Sequence, residues 1–124
     1  MTRKRIDEHS TEFGLWLREQ KCIDSSLGFV ATNVDYIWAN YKTGDWMLIE
    51  EKRFKASVTF TQSQLLNKLD VLCRGDKQYH GLHILGFENT SPEDGEIRLD
   101  SNIITKHQLL DFLQFKLLEC RGCH

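Results

Sequence analysis

Trp46-Met47-Leu48-Ile49-Glu50-Glu51-Lys52-Arg53-Phe54 begins as an apolar run with aromatics at its two ends, yet it carries two carboxylates and a lysine toward its close. Such a run reads as a buried or half-buried strand. Side chains two apart on a strand share a face, so Glu50 and Lys52 project together while Glu51 points the other way. An acid and an amine side by side at the end of a buried strand can hold a cation and handle a proton. Taken alone, the same residues also describe a strand that leaves the core as a solvated charged edge.

The segment upstream gives the strand a partner. Phe29 to Tyr41 is rich in β-branched and aromatic residues (Val30, Thr32, Val34, Tyr36, Ile37, Trp38, Tyr41), which predicts another strand. Lys42-Thr43-Gly44-Asp45 supplies the turn of an antiparallel hairpin. Asp35 then falls mid-strand between Val34 and Tyr36, where a carboxylate needs a partner. A two- or four-residue loop centred between Thr43 and Gly44 sets Asp35 opposite Lys52. Glu50 is then its diagonal neighbour on the same face, and Asp35 and Glu50 can share one metal ion. A three-residue loop with Gly44 as a bulge pairs Asp35 with Glu51 instead. Both registers are open at the level of sequence.

Helical spacing predicts three helices around these strands. The first is capped by Ser10 or Thr11, carries Phe13, Trp16 and Leu17 on one side, and fades near Lys21; Glu12 lies in its first turn, where an acid suits the helix dipole. Asp24-Ser25-Ser26-Leu27-Gly28 is a turn. A second helix runs from about Gln62 to Leu72 with Leu65, Leu66, Leu69 and Leu72 as its apolar face, and Gln62 and Gln64 at its N-terminus. Tyr79 to Phe87 is a third strand, in which His80 and His83 are out of phase and read as surface or satisfied core groups rather than ligands. After the polar turn Asn89 to Gly95 comes a short strand, Ile97-Arg98-Leu99. Ile103 and Ile104 then lead into a last helix, Thr105 to about Glu119, apolar on more than one side and therefore packed deeply or against a second copy in a homodimer.

The bulk numbers bound the function classes. A chain of 124 residues predicts one domain, 1–124, and 16 Lys+Arg against 18 Asp+Glu give a formal charge of −2. That excludes a basic nucleic-acid coat but not a DNA enzyme with cations gathered on one face. No run is long and apolar enough for a membrane span, and Met1 to Glu8 has no signal-peptide character, so the expectation is a cytoplasmic protein with no membrane partner. Cys22, Cys73, Cys120 and Cys123 lack disulfide-framework spacing and read as free thiols; the tail Cys120-Arg121-Gly122-Cys123-His124 looks like half a zinc site with no matching half.

An acid in a first helix (Glu12), an aspartate in the next predicted strand (Asp35), an acid-any-lysine triplet ending the strand after it (Glu50-Glu51-Lys52) and a helix opening on glutamine (Gln62, Gln64) together resemble the PD-(D/E)XK nuclease superfamily. Within it the chain is similar to the small single-domain Holliday junction resolvases. The resemblance covers about residues 8 to 90, with Val34 standing where the eponymous proline would be. It implies an α/β fold with a restriction-endonuclease-like three-layer core, a central mixed sheet with flanking helices in the order α-β-β-α-β-β-α. It implies a metal-dependent DNA endonuclease acting on branched DNA. Asp35, Glu50 and the backbone carbonyl of Glu51 would bind Mg²⁺ or Mn²⁺, and Glu12 a second metal or its water. Lys52 would orient the attacking water or offset developing charge, with Gln62 or Gln64 positioning it. Arg53, Lys55 and Lys77 would contact the DNA backbone. The rival readings are a nuclease-fold protein that binds nucleic acid without cutting it, and an interaction module that docks through its C-terminal helix.

Overall fold

The structure, a computed structural model, describes residues 12–116, and these fall into two compact units that divide between Thr32 and Asn33. In the first unit, helix α1 (Glu12–Glu19) stacks the Phe13 and Trp16 rings, with centroids 6.1 Å apart. Two short 3-10 turns follow, Lys21–Ile23 and Ser25–Leu27. Asp24 caps the second by accepting from the backbone N–H of Ser26 at 3.0 Å, and Gly28, in the left-handed region at φ 101°, ends it.

The second unit is built on a five-stranded mixed sheet: β1 (Tyr36–Ala39), β2 (Trp46–Arg53), β3 (Tyr79–Phe87), β4 (Ile97–Leu99) and β5 (Asn102–Ile104), paired in that order. β2 and β3 run parallel, joined by helix α2 (Phe60–Cys73); all other neighbours are antiparallel. Helix α3 (Lys106–Leu113) follows β5.

Alternation along β2 assigns the two faces of the sheet. Met47 and Ile49 join Leu85, Phe87, Ile97, Leu99, Leu109, Phe112 and Phe115 in one buried apolar cluster, so α3 covers that face. Leu48, Glu50 and Lys52 point to the opposite face, where Gln62 of α2 bonds Glu50 and Lys52. The sheet thus lies between helices, and the strand expected from the Trp46 to Phe54 pattern is present over Trp46–Arg53.

Several expectations need correction. Only Tyr36–Ala39 of the segment Phe29 to Tyr41 is strand, so Asp35 precedes β1 rather than sitting inside it. β1 is an edge strand with every residue exposed, and it has β2 as its one pairing partner; β-propensity without a partner does not make a ladder. The hairpin loop has six residues, Asn40 to Asp45, closed by Asn40 and Gly44 through backbone bonds of 2.9 and 2.8 Å. Tyr36 faces Ile49, and continuing that register by one residue sets Asp35 across from Glu50 rather than from Lys52 or Glu51. The same-face relation of Asp35 and Glu50 survives, because the shift from the Lys52 register is an even number of residues.

Ile103 and Ile104 belong to β5 and not to a helix approach, so the order among the described residues is α-β-β-α-β-β-β-α. Leu99 and Asn102 pair across a two-residue turn in which Asp100 and Ser101 both take positive φ, the mirror-image turn that matches strand twist and that Asp tolerates. The last helix begins after Thr105, its N-cap, and ends at Leu113, with Phe115 in the left-handed region at φ 64°; the expected extension toward Glu119 falls outside the described residues, as does the Cys120 to His124 tail. On α2 only Leu66 of the four expected leucines is buried, while Leu69 and Leu72 are exposed. No helix among the described residues is long and apolar enough to cross a membrane.

Candidate functional site

Four side chains of the second unit converge where β2 ends and α2 begins. Thr59 caps α2 by accepting from the backbone N–H of Gln62 at 3.2 Å, which fixes Gln62 in the first turn. The Gln62 amide then spans two charged groups of β2. Its Nε2 donates to Glu50 Oε2 at 2.8 Å, and its Oε1 accepts from Lys52 Nζ at 3.1 Å. Lys52 Nζ is also 3.5 Å from Glu50 Oε2, so acid, amide and ammonium form a closed ring. An amide suits this place because one end donates and the other accepts.

Asp35 locks onto the same strand through its backbone and its carboxylate. Its N–H donates to Glu50 Oε1 at 3.2 Å, and its Oδ2 accepts from the Glu51 N–H at 2.8 Å. Glu50 is 2 % exposed, and a buried carboxylate is costly unless it is paired. Burial first, and then the neighbouring Asp35 charge, push the Glu50 carboxyl above its usual range; the Asp35 N–H and Lys52 pull it the other way.

This donor set fits a hard divalent cation. Two facing carboxylates, one of them raised in pKa by burial and by the other's charge, form a site short of positive charge, and Asp35 Oδ1 takes no hydrogen bond from the described residues. No group of three or more His, Cys, Asp or Glu side chains gathers around one point among the described residues, so the protein side of the site is the pair Asp35 and Glu50. Mg²⁺ characteristically takes one or two carboxylates and completes its shell with water and substrate phosphate.

The other expected site residues lie outside this cluster. Glu12 opens α1 in the first unit, and the cluster is built from the second unit alone. Gln64 is exposed and makes none of the bonds that join Gln62 to the strand, which identifies Gln62 as the glutamine that faces the site. The Glu51 side chain lies on the α3 face, accepting from Tyr36 Oη at 3.1 Å and from Arg53 Nε at 2.7 Å. The Glu51 bond raises the Tyr36 phenol above its usual pKa. Arg53 is thus tied to Glu51 on the face away from Lys52. Lys55 is exposed just beyond β2. Lys77 sits ahead of β3, at the opposite end of the parallel strands from Lys52.

His83 proves a satisfied core group, with Nδ1 2.7 Å from Asp100 and Nε2 2.9 Å from the His80 carbonyl oxygen, while His80 lies 3.0 Å from Asp45. Sequence reasoning passed over Thr59 and Arg98. Thr59-Phe60-Thr61-Gln62 has the spacing of a capping box, a signal that the four residues carry by themselves. Arg98 carried no such signal, because its place in one row with Lys52 and Gly86 depends on the order of three strands. Comparison of the chain with family models, with curated proteins and with solved structures finds no match.

Proposed function

We propose that the protein is a metal-dependent DNA endonuclease of the PD-(D/E)XK type, with a restriction-endonuclease-like core, that hydrolyses phosphodiester bonds in branched DNA. The observation that carries this reading is the Gln62 bridge, which holds Lys52 beside a buried carboxylate while Asp35, just ahead of the adjoining strand, bonds that carboxylate through its N–H. A structural ion pair needs no second acid opposite it, and this one raises the cost of the first.

When bound at Asp35 and Glu50, Mg²⁺ or Mn²⁺ supplies Lewis-acid stabilisation to a phosphate oxygen and acidifies a water. Lys52 presents an ammonium to the charge that develops on the phosphate, and the Gln62 side-chain carbonyl oxygen, which accepts from it at 3.1 Å, holds it in place. Burial and the Asp35 charge raise the Glu50 carboxyl above its usual pKa, and a cation held between the two acids would offset both causes. Lys55 adds an exposed cation for the DNA backbone.

The test is cleavage of labelled single strand, duplex, flap and four-way junction with Mg²⁺ or Mn²⁺, with Lys52→Ala as control. Cutting that needs both metal and Lys52, and that favours a branched substrate, is the expected result. Protein that binds metal and DNA but cuts no member of the panel would replace this reading with that of a non-catalytic binder.

A further inference from the structure

Lys52, Gly86 and Arg98 form one row across β2, β3 and β4, since Lys52 pairs with Gly86 and Gly86 with Arg98. Residues side by side in a sheet share a face, so both cations project toward the Glu50 face with a glycine between them. The missing side chain leaves a cleft of about 290 Å³ at the carboxyl ends of the parallel strands, lined also by Lys55, Glu88 and Glu96. A Cβ on Gly86 would meet Arg98 at 3.9 Å, an ordinary contact, so larger side chains there would extend into the opening.

The charges of the lining decide what it takes. Glu96 is engaged by Arg98 at 3.1 Å, and Glu88 accepts the Glu96 backbone N–H at 2.9 Å, so both acids are committed to the start of β4. Lys55 has no described partner, and Lys52 stands at the inner wall. Phe54, between Arg53 and Lys55, is 64 % exposed and held in the left-handed region at φ 54°, with Lys55 following at φ 63°. The pair forms a mirror-image turn closed by the Ala56 N–H donating to the Arg53 carbonyl at 3.0 Å, which sets Phe54 next to the cleft-lining Lys55 and Ala56.

We propose that this cleft receives one nucleotide of an unpaired strand, its phosphate held by Lys55 and Arg98 and its base stacked on Phe54. The substrate class is then DNA with a single-stranded segment beside the cut, such as a flap or a frayed end. The inference rests on the nuclease reading for its substrate but not for its binding, because an electrostatic cleft with an aromatic platform is itself a single-strand site. The volume, at the lower limit of the roughly 300–1,000 Å³ typical of small-molecule sites, suits one nucleotide unit.

The experiment is fluorescence anisotropy of the full chain with a labelled twelve-nucleotide strand and the corresponding blunt duplex, in EDTA, over a range of salt. The expected result is tighter binding of the single strand. Removing both cations that hold the one phosphate, with Lys55→Ala and Arg98→Ala together, should reduce the slope of log affinity against log salt by about 0.7. Lys55→Ala alone, at an exposed loop position, should reduce it by about half as much and covers the case in which the double variant fails to fold. Phe54→Ala should lower single-strand affinity about fivefold or more with the slope unchanged. Gly86→Leu should block the strand while keeping every cation. An unchanged slope in Lys55→Ala, or equal binding of duplex and single strand, would overturn the cleft. Cutting in Mn²⁺ that survives such a result would leave the nuclease reading standing, whereas the expected binding with no cutting would remove the nuclease reading alone.

Discussion

Two helices of the second unit open with a threonine and, three residues on, a glutamine, and use the glutamine differently. Thr59-Phe60-Thr61-Gln62 opens α2, and Thr105-Lys106-His107-Gln108 opens α3. In both, the threonine hydroxyl accepts from the glutamine backbone N–H. At α3 the glutamine side chain returns to the threonine N–H at 2.9 Å and completes a capping box. At α2 the glutamine side chain leaves the cap and bridges Glu50 and Lys52. Nothing in the four-residue pattern distinguishes them. The difference is the strand beside each helix: α3 lies over Met47 and Ile49, which offer no polar partner, and α2 over Glu50 and Lys52. One glutamine stabilises its own helix, and the other gives that up to organise charges.

If the α2 arrangement is catalytic, its most sensitive member is Lys52. Lys52→Ala should reduce cleavage by about 10²–10³, the scale for losing one fixed group that stabilises transition-state charge, while circular dichroism shows the fold retained. Gln62→Ala should come next, lowering cleavage by about 10–100-fold as expected of a group that orients another. Activity at the wild-type level in Gln62→Ala would make the two glutamines equivalent and erase the contrast.

Asp35→Asn sharpens the comparison through stability and pH. The asparagine carbonyl can still accept from the Glu51 N–H, and its amide nitrogen can take the Oδ1 side, which receives no described donor. Removing the Asp35 charge removes the second cause of the raised Glu50 pKa and leaves burial, the first. A carboxyl raised in the folded state lends stability that is full below its unfolded value of 4.5 and is lost as pH rises through the folded value. Metal-free wild type should therefore lose stability on going from pH 4.5 upward, and Asp35→Asn should lose less and melt higher at pH 7 while cutting no DNA. Melting curves in EDTA across that window decide it; a lower melting temperature for the variant at pH 7 would make Asp35 a structural residue.

The parts of this arrangement legible in sequence are those set by local pattern. The alternation Met47 to Lys52 fixed which residues share a face, and the even-numbered register error left Asp35 and Glu50 together. The helix opening near Gln62 was readable, but the choice between Gln62 and Gln64 was not, because it depends on how far α2 is rotated over the sheet. The stripe Leu65, Leu66, Leu69 and Leu72 is legible as one apolar face, but of the four only Leu66 is buried, and Leu69 and Leu72 are exposed. Asn102-Ile103-Ile104 is too short to show a period, so β5 emerged only from its pairing with β4. Arg98 lay furthest from any local signal, since its place beside Gly86 and across it from Lys52 is created by strand order.

The smallest expected effect falls on α3 and is the control for all the others. Gln108→Ala removes the return half of its capping box and leaves the Thr105 hydroxyl bonded to a backbone N–H. The Thr105 N–H it abandons is at an exposed position, so water can replace the lost acceptor and the cost stays near the low end for a hydrogen bond, about 0.5 kcal/mol. Cleavage should be unchanged, because Gln108 touches neither Glu50 nor Lys52. Denaturant melts of Gln108→Ala and Gln62→Ala, run beside cleavage assays on the same preparations, separate the two roles. Stability lost without activity belongs to a glutamine that serves its helix, and activity lost in excess of stability belongs to one that serves a site. A Gln108→Ala protein that cuts poorly at full stability would mean that α3 also reaches the chemistry.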